Sequence, residues 1–374
     1  MSLTRRASRA WAAFIAALVL LGAGYLVADR SSGGRALAGA ASPAGPRGSD
    51  GSSGDWRNWD ARQWLRRAGD FINPVIDGVW GADRMRAARG WNNTMGAGVA
   101  DAQGVSDPAP SPVPAQPENH PYREHAAASG KIFFDTPQGP AVCSGTVVHD
   151  PAHPGRSNLV WTAGHCVHAG RAGGWYRNVV FVPDFNDSAD PGRTGTRGSL
   201  AALAPLGTWW ADWAETSPEW ISTGAATGGA GAPFDFAVFH VRQARGITGS
   251  LEETIGTAAP QVDFDTSPTR NTVPVGVWGY PAREPFDGFS MFRCTGPAGR
   301  LSVADDQPSL YRVGCTMNGG ASGGGWLTRR ADGRLALISN TSIGPTPAVW
   351  LAGPRLGPEA RKVFDTVSAR FAGG

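Results

Sequence analysis

From about residue 122 onward the chain breaks into short apolar runs separated by Gly- and Pro-rich stretches: KIFFD, AVCSGTVV, NLVWTA, NVVFVPDF, FDFAVFHV, VPVGVWGY, RLALISN and AVWLA. Short runs rich in Val, Ile, Phe and Trp and bounded by turn formers predict β-strands. No helical pattern interleaves them, which excludes a doubly wound α/β sheet and leaves an all-β domain built as paired barrels or a sandwich. The last segment changes period. Pro358 and Glu359 suit a helix start, and Val363, Val367 and Phe371 recur at every fourth position, predicting a C-terminal helix docked by one apolar stripe.

The N-terminal third reads differently. Arg5, Arg6 and Arg9 precede an uninterrupted apolar stretch from Trp11 to Ala28, closed by Asp29 and Arg30, which is the layout of an export signal with its basic end inside. Its roughly 18 apolar residues exceed a usual signal-peptide core and just suffice to span a bilayer. The small-x-small triplet Ala38-Gly39-Ala40 is the cleavage candidate, so a cleaved signal and a retained membrane anchor both stay open. Either fate is extracytoplasmic and places the remainder in an oxidising space, secreted or anchored. A Gly/Ser/Ala/Pro tract follows, then a Trp- and Arg-rich stretch from Asp55 to Trp91. There Asp55 suits a helix N-cap, with Trp56, Trp59 and Gln63 at helical spacing. This stretch reads as a prosegment, a helix lying on a membrane or on the main domain, or a helical spacer. Residues 105–121 are Pro-rich and predict an extended linker. The expected organisation is therefore 1–30 signal or anchor, 31–121 linkers and the Trp-rich element, and 122–374 the main domain.

Composition narrows the partners. With 41% hydrophobic residues, 15 Trp and 15 Phe, the 374-residue chain buries a substantial core, which excludes global disorder. Net charge is only +3, and Lys131 and Lys362 are the sole lysines, so no nucleic-acid footprint is present. The four cysteines form no CxxC pair, arguing against structural zinc; no metal or other cofactor is expected.

Three segments carry chemistry. In Trp161-Thr162-Ala163-Gly164-His165-Cys166 a histidine follows a strand among small residues, and imidazole serves as a base near neutral pH. In Pro233-Phe234-Asp235-Phe236-Ala237-Val238-Phe239 a carboxylate sits in an apolar run, where burial requires a specific partner such as an imidazole N–H. In Gly319-Gly320-Ala321-Ser322-Gly323-Gly324-Gly325 a serine is flanked by glycines that permit a sharp turn, with the N–H groups of Gly320 and Ser322 available to an oxyanion. No histidine follows His240, which excludes the α/β-hydrolase order of Ser, Asp, His; the order His165, Asp235, Ser322 also excludes that of subtilisin. A metal site on His165 and His168 lacks a third ligand or an HExxH glutamate.

The TAGHC, DFAVF and GASGGG segments resemble the three signatures of chymotrypsin-like serine peptidases over most of residues 122–372. Val182-Pro183, Gly207-Thr208-Trp209, Pro218-Glu219-Trp220 and Gly279-Tyr280-Pro281 are similar to the bacterial glutamyl-endopeptidase-like branch. The resemblance implies two six-stranded antiparallel β-barrels with the site between them, and an endopeptidase acting on protein or peptide substrates, expected as a monomer. It implies Ser322 as nucleophile, His165 as base, Asp235 as the group that orients it, and Gly320 and Ser322 N–H as the oxyanion hole. It further implies a Cys143–Cys166 disulfide, which leaves Cys294 and Cys315 for a second; each closes a loop worth roughly 3 kcal/mol.

Departures from the family pattern matter as much. Ala321 stands where the family usually has Asp or Asn, so a freed N-terminal amine has no acid there to pair with and activation must differ. Thr316 and Met317 supply no carboxylate for Arg/Lys specificity. Leu337-Ile338-Ser339-Asn340-Thr341 lacks the histidine of glutamate-specific relatives, leaving Asn340 and Thr341 as the expected lining for a neutral side chain. The alternative reading is an inactive binding or scaffold protein on the same fold.

Overall fold

The computed structural model describes residues 71–96, 106–187, 199–242, 246–264 and 273–373. The Trp11–Ala28 run, the Ala38-Gly39-Ala40 triplet and the helix start at Asp55, Trp56, Trp59 and Gln63 lie outside the described residues. Among the described residues no helix is long and apolar enough to cross a membrane.

The alternating runs form two antiparallel layers. The first contains β1 (Ser129–Thr136), β2 (Gly139–Val148), β3 (Leu159–Thr162), β4 (Arg177–Pro183), β5 (Trp209–Thr216) and β6 (Ala237–Arg242). Their order β2-β1-β4-β5-β6-β3 closes through β3 onto β2, so this barrel has no free edge. Ile132, Phe134, Val160, Phe181 and Phe239 fill it, and each fully buried side chain of this kind contributes roughly 1.5–3 kcal/mol.

The second contains β7 (Val273–Gly279), β8 (Phe292–Leu301), β9 (Leu310–Gly314), β10 (Gly325–Arg329), β11 (Leu335–Asn340) and β12 (Trp350–Gly353), in the order β11-β10-β7-β8-β9-β12. Ile343–Gly344 extends the β12 edge, and beyond β11 at the other end Gln261–Val262 pairs in parallel. Residues 335–344 are continuous chain, so β11 and the Ile343–Gly344 edge are joined and the sheet curls. The two-barrel expectation thus holds, with the first barrel closed by hydrogen bonds and the second a curled half-barrel.

Strands β5, β8, β9 and β10 were not among the expected runs. In β8, Pro297 lies opposite Pro274 of β7, and neither can donate to the ladder, which disguises both as loop. In β5 the alternation of buried Trp209 and Ala211 with half-buried Trp210 and Asp212 is broken by a register shift before Trp213. The C-terminal helix forms over Pro358–Phe371 and buries Ala360, Val363, Phe364 and Val367 against Leu159, Trp161, Val238 and Leu337. Phe371 instead stacks on His240, with ring centroids 3.7 Å apart.

Both segments upstream of residue 122 are fastened to this body. Asn73 donates to the carbonyls of Val179 (2.9 Å) and Ala211 (2.8 Å) and accepts from Val179 N–H, stitching itself between β4 and β5. Trp80 Nε1 donates to Asn178 O, and Arg84 pairs with buried Asp135 at 2.6 Å. The Pro-rich stretch runs along the second barrel. Gln116–Pro117 pairs with Phe292–Arg293, and Asp107 holds Arg300 at 2.9 Å. Extended Pro-rich backbone makes no internal hydrogen bonds, so its carbonyls are free to accept from a neighbouring strand.

Lys131 of β1 is enclosed by the rings of Phe133, Phe185, Tyr280 and Phe289 and donates to Gly288 O, tying the first barrel to the loop after β7. Burial pushes its pKa down to about 7, with Asp287 opposing the shift. Between pH 7 and the ordinary lysine range the unfolded chain therefore binds the extra proton, and stability rises with pH at up to about 1.4 kcal/mol per unit. Urea unfolding of the wild type across this range should show that rise, and Lys131→Met should flatten it.

Candidate active site

The chain positions Asp235 before β6. A short turn at Ala232–Phe234 ends there, and Thr216 and Ser217 hydroxyls bind the carbonyls of Phe236 and Phe234, each at 2.7 Å. His165 lies in the turn Gly164–Cys166 after β3, which the Cys143–Cys166 disulfide ties to β2. Gly164 carries no Cβ because one would press on Thr216 Oγ1 at 2.7 Å.

The structure brings His165 and Asp235 together. His165 Nδ1 lies 2.6 Å from Asp235 Oδ2, and His165 backbone N–H donates to Oδ1 at 2.8 Å. The carboxylate is fully buried. From the second barrel, Ser342 Oγ donates to Oδ2 at 2.6 Å, and Asn340 Nδ2 donates to the Asp235 carbonyl at 3.0 Å. With Oδ1 and Oδ2 both accepting, the Nδ1 proton is directed at Asp235, which leaves Nε2 as the ring nitrogen not engaged by the carboxylate. Ser342 was not singled out in the sequence. Its only signal is a polar residue just past an apolar strand.

Ser322 sits on a loop held by several backbone bonds. Ser144 N–H donates to Ser322 O at 2.7 Å, Gly323 N–H to Thr341 O at 2.8 Å, and Ser144 Oγ to Gly320 O at 2.9 Å. Gly320 (φ +106°) and Gly323 (φ +79°) occupy left-handed conformations, and a Cβ on Gly323 would collide with Thr162 Oγ1, so the loop closes against the strand that leads to His165. Ala321 is fully buried with Val277, Met317 and Trp326, an apolar setting with no partner for an acid. The Cys294–Cys315 disulfide ties β8 to the chain just before this loop.

The nucleophile candidate is not bonded to the base candidate. Ser322 Oγ lies 3.4 Å from the Trp91 carbonyl, and among the described residues His165 Nε2 is buried without a hydrogen-bond partner. Gly320 N–H donates to the same Trp91 carbonyl at 2.8 Å. Asn340 and Thr341 do not line an open pocket. Asn340 accepts from Trp161 Nε1 at 2.9 Å, and Thr341 accepts from Trp326 Nε1 at 3.0 Å, so both side chains are consumed in the core. Thr316 accepts from Ala115 N–H, and Met317 is buried. His168 is held apart from the cleft, its Nδ1 accepting from Gly170 N–H, and burial pushes its pKa down to about 4. Asp212 pairs with His240 at 2.7 Å.

A closed barrel and a curled partner sheet, with a buried His–Asp pair contributed by the first and a glycine-flanked serine by the second, match the chymotrypsin-like two-barrel fold. Solved structures agree. The chain is similar to the thermostable serine protease AL20 from an extremophilic microorganism, with 29% identity over 65% of this chain and 98% of that one, and TM-score 0.52. It is similar to the protease Anisep from Arthrobacter nicotinovorans, with 26% identity over 68% and 99%, and TM-score 0.52. A Glu endopeptidase matches at 16% identity over 71% of this chain and 100% of that one, with TM-score 0.48. No family model matches the chain, and no curated relative does.

Removing the Ser342 hydroxyl takes one donor from a buried carboxylate. Ser342→Ala should lower the urea unfolding free energy at pH 7 by about 1–3 kcal/mol, measured with both disulfides intact.

Proposed function

We propose that the protein is an extracytoplasmic serine endopeptidase that hydrolyses peptide bonds through a His165–Asp235–Ser322 triad. The observation that carries this reading is the buried Asp235, which binds Nδ1 of His165 while a Ser342 hydroxyl from the other barrel secures it. A carboxylate is kept in so apolar a place only where its partners compensate the lost hydration. Two disulfides and the apolar Trp11–Ala28 segment support the oxidising, extracytoplasmic setting.

In this mechanism Ser322 Oγ attacks the substrate carbonyl as its proton passes to His165 Nε2, and Asp235 stabilises the imidazolium that forms. Gly320 and Ser322 N–H groups hold the oxyanion. His165 then gives the proton to the departing amine, the C–N bond breaks and an ester on Ser322 remains. Water, deprotonated by His165, attacks that ester and releases the acid. Ala321 supports an activation that does not depend on an N-terminal amine pairing beside the serine.

The competing reading, an inactive scaffold on the same fold, draws on the absent Ser322–His165 hydrogen bond. Hydrolysis of a mixed peptide library by the activated protein separates the two. Cleavage should fall by roughly 10⁴-fold or more in Ser322→Ala, His165→Ala and Asp235→Asn, with folding unchanged. Undiminished cleavage in Ser322→Ala would overturn the triad.

A further inference from the structure

The cleft between the barrels already holds a ligand, and the ligand is this chain. Arg89–Gly90 runs parallel to Ala141–Val142 of β2, and Trp91 N–H donates to Val142 O at 3.0 Å. The Trp91 ring lodges edge-on against Phe134 (6.2 Å between centroids) and Tyr176 (5.8 Å). Its carbonyl takes the Gly320 N–H and faces the Ser322 hydroxyl. Beyond it, Asn93–Thr94 pairs in parallel with Ile343–Gly344, and Met95 N–H donates to Gly344 O at 3.2 Å. Arg283 Nε donates to Gly90 O at 3.1 Å.

The direction of this segment is what matters. His165 adjoins Cys166, which is bonded to Cys143 of β2, so β2 marks the side of Ser322 on which the base stands. A cleavable peptide must send its leaving nitrogen, and hence the chain that follows the attacked carbonyl, to that side. Here the residues preceding the Trp91 carbonyl lie along β2, and the residues following it lead to Ile343–Gly344. The carbonyl is presented to the oxyanion donor while the nitrogen of Asn92 departs away from the base. We propose that residues 89–95 are an inhibitory strap that fills the peptidase cleft backwards, presenting a carbonyl that cannot be cleaved, and that the cleft binds this same sequence in trans. The inference rests on the peptidase reading above.

Two further features fit a removable occupant. Among the described residues the fully buried Asn93 side chain has no partner for its amide nitrogen or its oxygen, a cost of about 1–3 kcal/mol that a permanent core avoids. Gly90 is pressed so closely on the nucleophile loop that a Cβ would collide with the Gly319 carbonyl oxygen and sit 2.8 Å from its carbon. Both contacts are backbone, so nothing there can yield. Gly90→Ala therefore unseats the strap without altering His165, Asp235 or Ser322.

The test compares the fluorophosphonate labelling rate of the full chain with those of Gly90→Ala and Trp91→Ala, disulfide formation and circular dichroism serving as the folding check. Both variants should label at least ~10-fold faster than wild type, because the strap no longer competes for Ser322. A synthetic peptide of residues 87–96 should slow labelling of Gly90→Ala and be recovered uncut, and a scrambled peptide should not slow it. Equal rates in all three proteins would overturn the strap and leave the peptidase reading standing. So would cleavage of the added peptide between Trp91 and Asn92. If no protein labels, with the variants folded, the peptidase reading falls and the strap with it.

Discussion

One buried carboxylate joins the two halves of this molecule. Asp235 has no solvent exposure, and its lost hydration is replaced by three donors: His165 Nδ1 and backbone N–H from the first barrel and Ser342 Oγ from the second. Its own carbonyl takes the Asn340 amide, also from the second. A charge buried on these terms is costly if any partner moves, so the relative placement of the barrels and the orientation of the imidazole are fixed by the same bonds. Trp161 extends the constraint by donating to Asn340 from β3, the strand that leads to His165.

The serine is placed by a different means. Its loop folds through left-handed glycines and is clamped by the Ser144 N–H and hydroxyl, which donate to Ser322 O and Gly320 O, and by the Thr341 carbonyl, which accepts from Gly323 N–H, groups drawn from both barrels. Ala321 makes this part of the loop apolar, and Gly279 lies behind it, where a Cβ would stand 2.9 Å from Ala321 Cα. Ala321 itself supplies no charge beside the serine. What stands against Ser322 is the carbonyl of Trp91, from the chain's own upstream segment.

The strand runs, the C-terminal helix, the His165–Asp235 pairing and the serine loop were legible in the sequence because each has a local signature: short apolar runs bounded by Gly and Pro, a four-residue stripe, or a polar residue framed by small or apolar ones. What could not be read was held by partners far along the chain. Ser342 gains its meaning from Asp235, and Asn340 and Thr341, expected to line a pocket, are instead drawn into the core by two tryptophans, Trp161 and Trp326. Residues 89–95 read Arg-Gly-Trp-Asn-Asn-Thr-Met, with no periodicity at all. Their place depends on the exposed backbone of Val142, Gly320 and Gly344, which no pattern in their own side chains announces. Strand β8 was hidden by its proline for a similar reason, since its partner β7 supplies a proline opposite.

The most direct test of the account is where a fluorophosphonate becomes attached in the activated protein, read by peptide mass spectrometry. The account predicts one phosphonyl group per chain, on Ser322, formed only while His165 is present. An adduct on another residue, or an unchanged Ser322 adduct in His165→Ala, would contradict it.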